Sequence, residues 1–574
     1  MHKLNPREKA DAFLALAGEF QLGHLPTEER HTKTKNLSQL AQESLPNAIE
    51  LLRIIELEAL NSAFENKSAA LLEMAREIRN TLQTGGRIFL CGCGATGRLS
   101  LSLESLWRFR INELPHTNLA ELKDKVISFM AGGDYALVRS IENFEDHPEY
   151  GAKQLQDLGF AKNDLLISTT EGGETPFVIG ATEAASGISQ RKPYFLFCNP
   201  EGILRKTADR SRRVLENHHI ISISLVTGPM ALAGSTRLQA TTVLMLAVGA
   251  ALFSTLENKE ISFFINDFKT ALETNNFLSL QSLIECESEI YTSGNICAHS
   301  SERHAMTVIT DTTERSPTFS LVPFEDSRDP LAPLSWTYLY IPNAENTQHA
   351  WNLLLGRTPR AIIWPTPFEK YGPEALNQFD FDRSFIRRFE RRKECSADCN
   401  PEHLRRRQLA THQDSVIWSS ALVDDQIVFS MSAQSSGCEA GNQSSESNPK
   451  SLEPKSLESK IEAHFKKPIS LLAEHLLVKC ALNICSTLVM GRLGRFQSNI
   501  MLFVRSSNNK LIDRSIRFTL ALLHEAGIHE FNYDDVCYTL FVILEDLPQG
   551  EAAVPKAYEL LSQQHKVSPK SIFK

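Results

Sequence analysis

The sequence predicts an α/β protein built on two doubly wound parallel sheets, with helical extensions at both ends. Three observations predict it. Five short apolar runs alternate with amphipathic stretches over residues 87–225, a weaker series of such runs follows from residue 294, and 574 residues give room for both. Ahead of them, LPNAIELLRIIELEALNSAFENKSAALLEMAREIRNTL repeats apolar positions at three-and-four spacing, which is helical.

In the first series RIFLCG, KVISFMAGG, DLLISTT, PYFLFCN and HIISISL read as buried strands, and the segments between them are long enough for crossover helices. GNICAHS, MTVITD, SWTYLYIP, RAIIWP and DQIVFSM are the strand candidates of the second series, followed by the apolar helix ISLLAEHLLVKCALNICSTLVMGRL. The Ser-, Asn- and Glu-rich stretch at about 432–460 has too little apolar surface to offset chain entropy and reads as a flexible insertion. RRFERRKECSADCNPEHLRRRQ reads as a solvated basic helix face.

A net charge of −9 argues against general nucleic-acid binding, which needs clustered Lys and Arg. The longest apolar run, LQATTVLMLAVGAALF, is shorter than the ~20 residues that span a bilayer, so a buried core helix is expected and no membrane. No signal-peptide pattern opens the chain. Eleven cysteines without Cx2C pairs fit reduced thiols in a cytoplasm. His299 and His304 lack metal-ligand spacing and read as surface or core histidines, so no metal and no cofactor is expected.

RIFLCGCGATGRLSLS carries G-x-G-x-x-G at Gly92, Gly94 and Gly97. A dinucleotide site also wants an acid about 20 residues on, to hold the ribose. The second strand ends at Asp134, 37 positions beyond Gly97, which is too far. Backbone N–H groups at a helix start make an anion site without a nucleotide. The remaining reading is a turn whose glycines serve packing alone.

With AGGDYALVRSIENFEDHPEYGAKQL, STTEGGETPFVIGATEA and GPMALAGSTRLQA, this loop resembles the sugar isomerase (SIS) domain. It is most similar to the family joining N-acetylmuramic acid 6-phosphate etherase with glucokinase regulatory protein. PTEERHTKTKNLSQL and STLVMGRLGRFQSNIMLFVRSSNNKLIDRSIR resemble that family's opening and closing segments. The resemblance implies a helical arm over 1–50, a first SIS domain with the phosphate loop over 51–270, a degenerate second SIS domain over 271–520 and a helical cap over 521–574.

It further implies that Gly94, Thr96 and Gly97, with Thr170, Ser235 and Thr236, cradle a sugar phosphate, and that Asn508 and Lys510 reach it from the closing segment. Ala95 stands where the family has Thr, and Gly172 where etherases have Ser. The family's two acids match Glu145 in ENFED, with Glu142 three positions before it, and Glu314 in DTTERSPTFSL. Glu104 is out of register. The second domain reads AHSSERHAM where a Gly-rich loop would stand, so one composite site is expected.

Two functions follow from the resemblance. Double-SIS length favours a sensor of a hexose or amino-sugar 6-phosphate, with a sugar kinase as its partner. The paired acids favour a carbon–oxygen lyase that releases D-lactate, in which one carboxyl takes the C2 proton and the other protonates the leaving oxygen.

Overall fold

The computed structural model describes residues 5–17, 22–114, 117–141, 143–294, 296–322, 324–326, 328, 329, 332, 335–382, 415–434, 460–504, 506, 509–547 and 551–564. Glu142, Asn508, the basic run after Arg387 and most of the expected insertion, residues 435–459, lie outside these.

All five strands expected in the first half form: β1 Ile88–Gly92, β2 Val126–Met130, β3 Leu165–Thr169, β4 Tyr194–Phe197 and β5 Ile221–Ser224. They pair in parallel in the order β2-β1-β3-β4-β5, with Ile88 opposite both Val126 and Leu165. β1 to β4 are buried at every position, as continuous apolar runs between two helical layers should be. In this order the strand sequence reverses between β1 and β3, and ligands of doubly wound sheets bind outside the carboxyl ends at that switch.

The second half keeps a parallel core and then changes direction. β6 Cys297–Ser300 pairs in parallel with β7 Thr337–Tyr340 and with β8 Ser415–Val423. β8, β9 Gln426–Gln434 and β10 Ile461–Lys466 are antiparallel, so this sheet is mixed, in the order β10-β9-β8-β6-β7. The reason is local. Only Asp424 and Asp425 join β8 to β9, both with positive φ, 46° and 59°, and a two-residue turn of that kind closes a hairpin whereas a parallel return needs a crossover.

Two expected strands do not form. MTVITD lies inside the Ala305–Phe319 helix. RAIIWP has no sheet partner and docks on the first half instead: Arg360 donates to Glu104 at 2.9 Å, its main chain exchanges hydrogen bonds with Asp134, and Trp364 Nε1 donates to Asp157 at 2.6 Å. Glu104 is thus structural: burial pushes its pKa up, but Arg357 and Arg360 overcome this and hold it at about 2.

Two helices, Ala240–Glu257 and Leu471–Arg492, are long and apolar enough to cross a membrane by length and composition. Both are largely enclosed by the rest of the protein, as expected of core helices. The halves are locked by a buried polar network. Arg237 Nη1 lies 3.2 Å from Asp311 Oδ1, Asp311 also holds Arg315, Asn483 and Ser486, and Lys479 donates to the Arg237 carbonyl at 2.6 Å.

Candidate functional site

At the switch point, β1 ends in a turn that starts the Gly94–Glu113 helix. Gly94 has φ +55°, and a Cβ there would meet nothing within 4 Å, so its main chain faces open space. The other glycines serve packing. A Cβ on Gly92 would lie 2.3 Å from Thr96 main chain, and one on Gly97 would lie 2.5 Å from Met130 Cβ on the neighbouring strand.

A cavity of about 300 Å³ opens over this turn. It brings together Gly94, Ser235, Thr236, Glu145, Glu314 and Lys510, six of the residues expected to form the site. Glu145 comes from the first half and Glu314 from the second. Three expected residues are not in its lining. Thr96 Oγ1 accepts from the Cys93 N–H at 3.0 Å and donates to the Cys93 carbonyl at 2.9 Å, so it is used in capping the helix. Gly97 packs on Met130. Thr170 Oγ1 is buried between Thr175 Oγ1, 3.0 Å away, and the Gly173 N–H. Asn508 lies outside the described residues.

The cavity also holds groups that sequence reasoning left unassigned: Glu171, Arg98, and the pair Glu28 and Arg514. Arg98 and Glu171 stand inside quoted motifs, so their proximity to the loop was the available signal. Glu28 accepts two bonds from Arg514, at 2.7 and 3.1 Å. Burial raises its pKa, but Arg514, Arg517 and Lys510 outweigh that and hold it at about 2. Nothing in the sequence pairs positions so far apart.

The remaining acids differ in protonation. Burial raises the Glu314 carboxyl, against the pull of Arg98, Arg237 and Lys479. Burial, reinforced by Glu314, pushes Glu171 up to about 7, against Lys510 and its hydrogen bonds. Glu145 is partly exposed and accepts from Cys93 Sγ at 3.1 Å. The site therefore offers a carboxyl at Glu171 that holds its proton up to about neutrality, a second at Glu314 that burial shifts in the same direction, and a third at Glu145 that is partly exposed, a set that acid–base chemistry can use. Its cations are engaged: Lys510 Nζ lies 2.7 Å from Glu174 Oε1, whose pKa is held at about 2 because Lys510 and Arg210 overcome burial.

His299 and His304 are both fully buried core residues, away from the cavity lining.

A family model for the glucokinase regulatory protein N-terminal SIS domain matches residues 70–186. N-acetylmuramic acid 6-phosphate etherase from Clostridium botulinum is 32% identical over 236 residues, which cover 40% of this chain and 70% of that protein. The chain belongs to the SIS family joining these etherases with glucokinase regulatory protein. The Synechocystis etherase is 34% identical over 226 residues, 39% of this chain and 66% of its own. Among solved structures, a putative phosphosugar isomerase from Silicibacter pomeroyi covers 77% of this chain and 96% of its own at 9% identity, with a TM-score of 0.37. The etherase matches thus reach about two fifths of this SIS protein, and the loop after β1 lies within the stretch that the family model matches.

Proposed function

We propose that the cavity binds a sugar 6-phosphate and that the protein is an etherase-type lyase, cleaving the C3 ether of an N-acetylmuramic acid 6-phosphate-like sugar. The observation that carries this is the meeting of Glu145 and Glu314, one from each half, in one cavity over the Gly94 helix start. In the open-chain sugar the C1 carbonyl acidifies the C2 proton. Partly exposed Glu145 takes that proton, the C3–O bond breaks as the C2–C3 double bond forms, and Glu314, whose carboxyl burial shifts toward its protonated form, gives its proton to the departing lactate oxygen. Backbone donors at the helix start, Ser235 and Thr236 hold the phosphate, and Lys510 adds its charge to the same wall.

The supporting relatives are curated etherases, and the differing protonation of the acids suits turnover. Incubating pure protein with N-acetylmuramic acid 6-phosphate and measuring D-lactate tests it; sugar binding without lactate defeats the lyase reading.

A second reading has its own support. The family model is that of a regulatory protein, and Glu174 already neutralises Lys510. In that reading the same cavity senses a hexose or amino-sugar 6-phosphate and alters the surface offered to a sugar kinase in the cytoplasm.

A further inference from the structure

Outside the cavity lining, the two-residue period of β6 puts Cys297 and His299 on one face of the strand. The Gln281–Thr292 helix presents Glu287 to them. One ligand-capable atom from each of the three lies within 4.8 Å of the other two, and none of the residues is more than 1% exposed.

Protein hydrogen bonds leave this group unfinished. Among the described residues, nothing meets either ring nitrogen of His299 in full hydrogen-bond geometry, although the Tyr338 main chain stands beside the ring, and Glu287 Oε2 has no partner. Glu287 Oε1, by contrast, accepts from the Tyr291 hydroxyl at 2.8 Å and from Arg315 Nη1 at 2.5 Å. Buried polar atoms are almost always paired, so unpaired ones converging at one spot point to a missing partner. A second triplet, His304, Glu474 and His475, has the same spacing and also leaves His304 Nδ1 and His475 Nε2 unpaired, but its carboxylate is used up: Arg303 holds both oxygens of Glu474, and Thr307 bonds His475 Nδ1 at 2.8 Å.

We propose that Glu287, Cys297 and His299 bind a divalent cation of the zinc class. Carboxylate oxygen, thiolate sulfur and imidazole nitrogen form the donor set of a borderline-soft metal. On binding, the Cys297 S–H bond breaks, the sulfur binds the metal and the proton passes to solvent. Thiolate and Glu287 then balance the two positive charges. Tyr291 and Arg315 fix the carboxylate from behind, as outer partners of metal ligands do, and the Arg315 charge is itself met by Asp311 at 2.9 Å.

The test uses the full chain, stripped with a chelator and refilled with zinc. Elemental analysis is expected to give one metal per chain, and cobalt in its place should show thiolate charge-transfer absorption that Cys297→Ser abolishes. His299→Gln should lose at least about tenfold in zinc affinity, and Tyr291→Phe about 10–100-fold. Should Cys297→Ser fail to fold, the wild-type cobalt spectrum and His299→Gln decide. A chain that keeps no stoichiometric zinc overturns the site. So does zinc retained fully by His299→Gln, or lost from His304→Gln instead.

Discussion

The same strand-to-helix turn is used differently in the two halves. After β1 it is narrow and glycine-bounded, and at Gly94 its main chain faces the cavity. After β6 it is filled by side chains: Ser301 Oγ accepts from the His304 N–H at 3.2 Å and donates to the Ser420 carbonyl at 3.1 Å, while His304 Nε2 sits 2.9 Å from Glu474. The second turn has no room for an anion, and its helix instead sends Glu314 across to the first half. Relieved of a ligand loop, that half is also free to exchange a crossover for the Asp424–Asp425 hairpin. In the proposed reading, the two halves of the chain form one site with two contributors, Glu145 and Glu314, which line the same cavity.

The sharpest way to break this comparison is Glu314→Gln. If the second half donates a catalytic acid, D-lactate release should fall by about 10²–10⁴, while phosphosugar affinity by calorimetry changes far less. Equal losses in both would reduce Glu314 to a binding group.

Next in size is Asp311→Ala, which strands buried Arg237 and leaves Arg315 with Glu287 alone. Removing one partner from a buried ion pair costs about 3–5 kcal/mol. Denaturant unfolding should show this loss, and two separated transitions where wild type gives one would mean that the pair is what makes the halves unfold together.

The glycines should then divide by role. Gly97→Ala should cost about 1–3 kcal/mol of stability, because its Cβ would overpack Met130. Gly94→Ala has space but takes a left-handed conformation costing about 1–2 kcal/mol, and should mainly weaken phosphosugar binding. Equal phosphosugar affinity in Gly94→Ala and wild type would remove this turn from the site.

The smallest effect concerns pH. Folding raises the Glu171 carboxyl from 4.5 to about 7, so between those values the folded chain holds more protons than the unfolded one. Stability contributed by this group is therefore present at low pH and declines as pH rises from about 5 to about 7. Glu171→Gln should flatten that part of a melting-temperature profile, and an unchanged slope would mean that the group titrates as it does unfolded.

Much of this was legible. Long apolar runs between crossover-length segments yielded every strand of the first sheet, and the family resemblance paired Glu145 with Glu314, two residues that line one cavity. What was illegible has physical causes. MTVITD is too short for its periodicity to tell a buried strand from a buried helix turn. RAIIWP is apolar because it covers Tyr150 and Phe144 through Trp364, without sheet pairing. Thr96 and Thr170 have hydroxyls in the right neighbourhood, but only coordinates reveal that their own turns consume them. Glu28 and Arg514 meet across the whole fold, beyond the reach of any local pattern.

That last pair bears on how the protein is made. Glu28 and Arg514 are 486 positions apart, and Arg30 likewise bonds Asn499 at 2.9 Å. Contacts of such long sequence separation form slowly, since a large loop must close first. During synthesis the wall containing Glu28 waits for the segment bearing Lys510 and Arg514, so the nascent first half can pair its parallel strands while its ligand chamber still lacks one side. On the proposed reading phosphosugar binding requires the segment after residue 509, and a ribosome-stalled product ending before it should be folded in its first sheet yet unable to retain a phosphosugar.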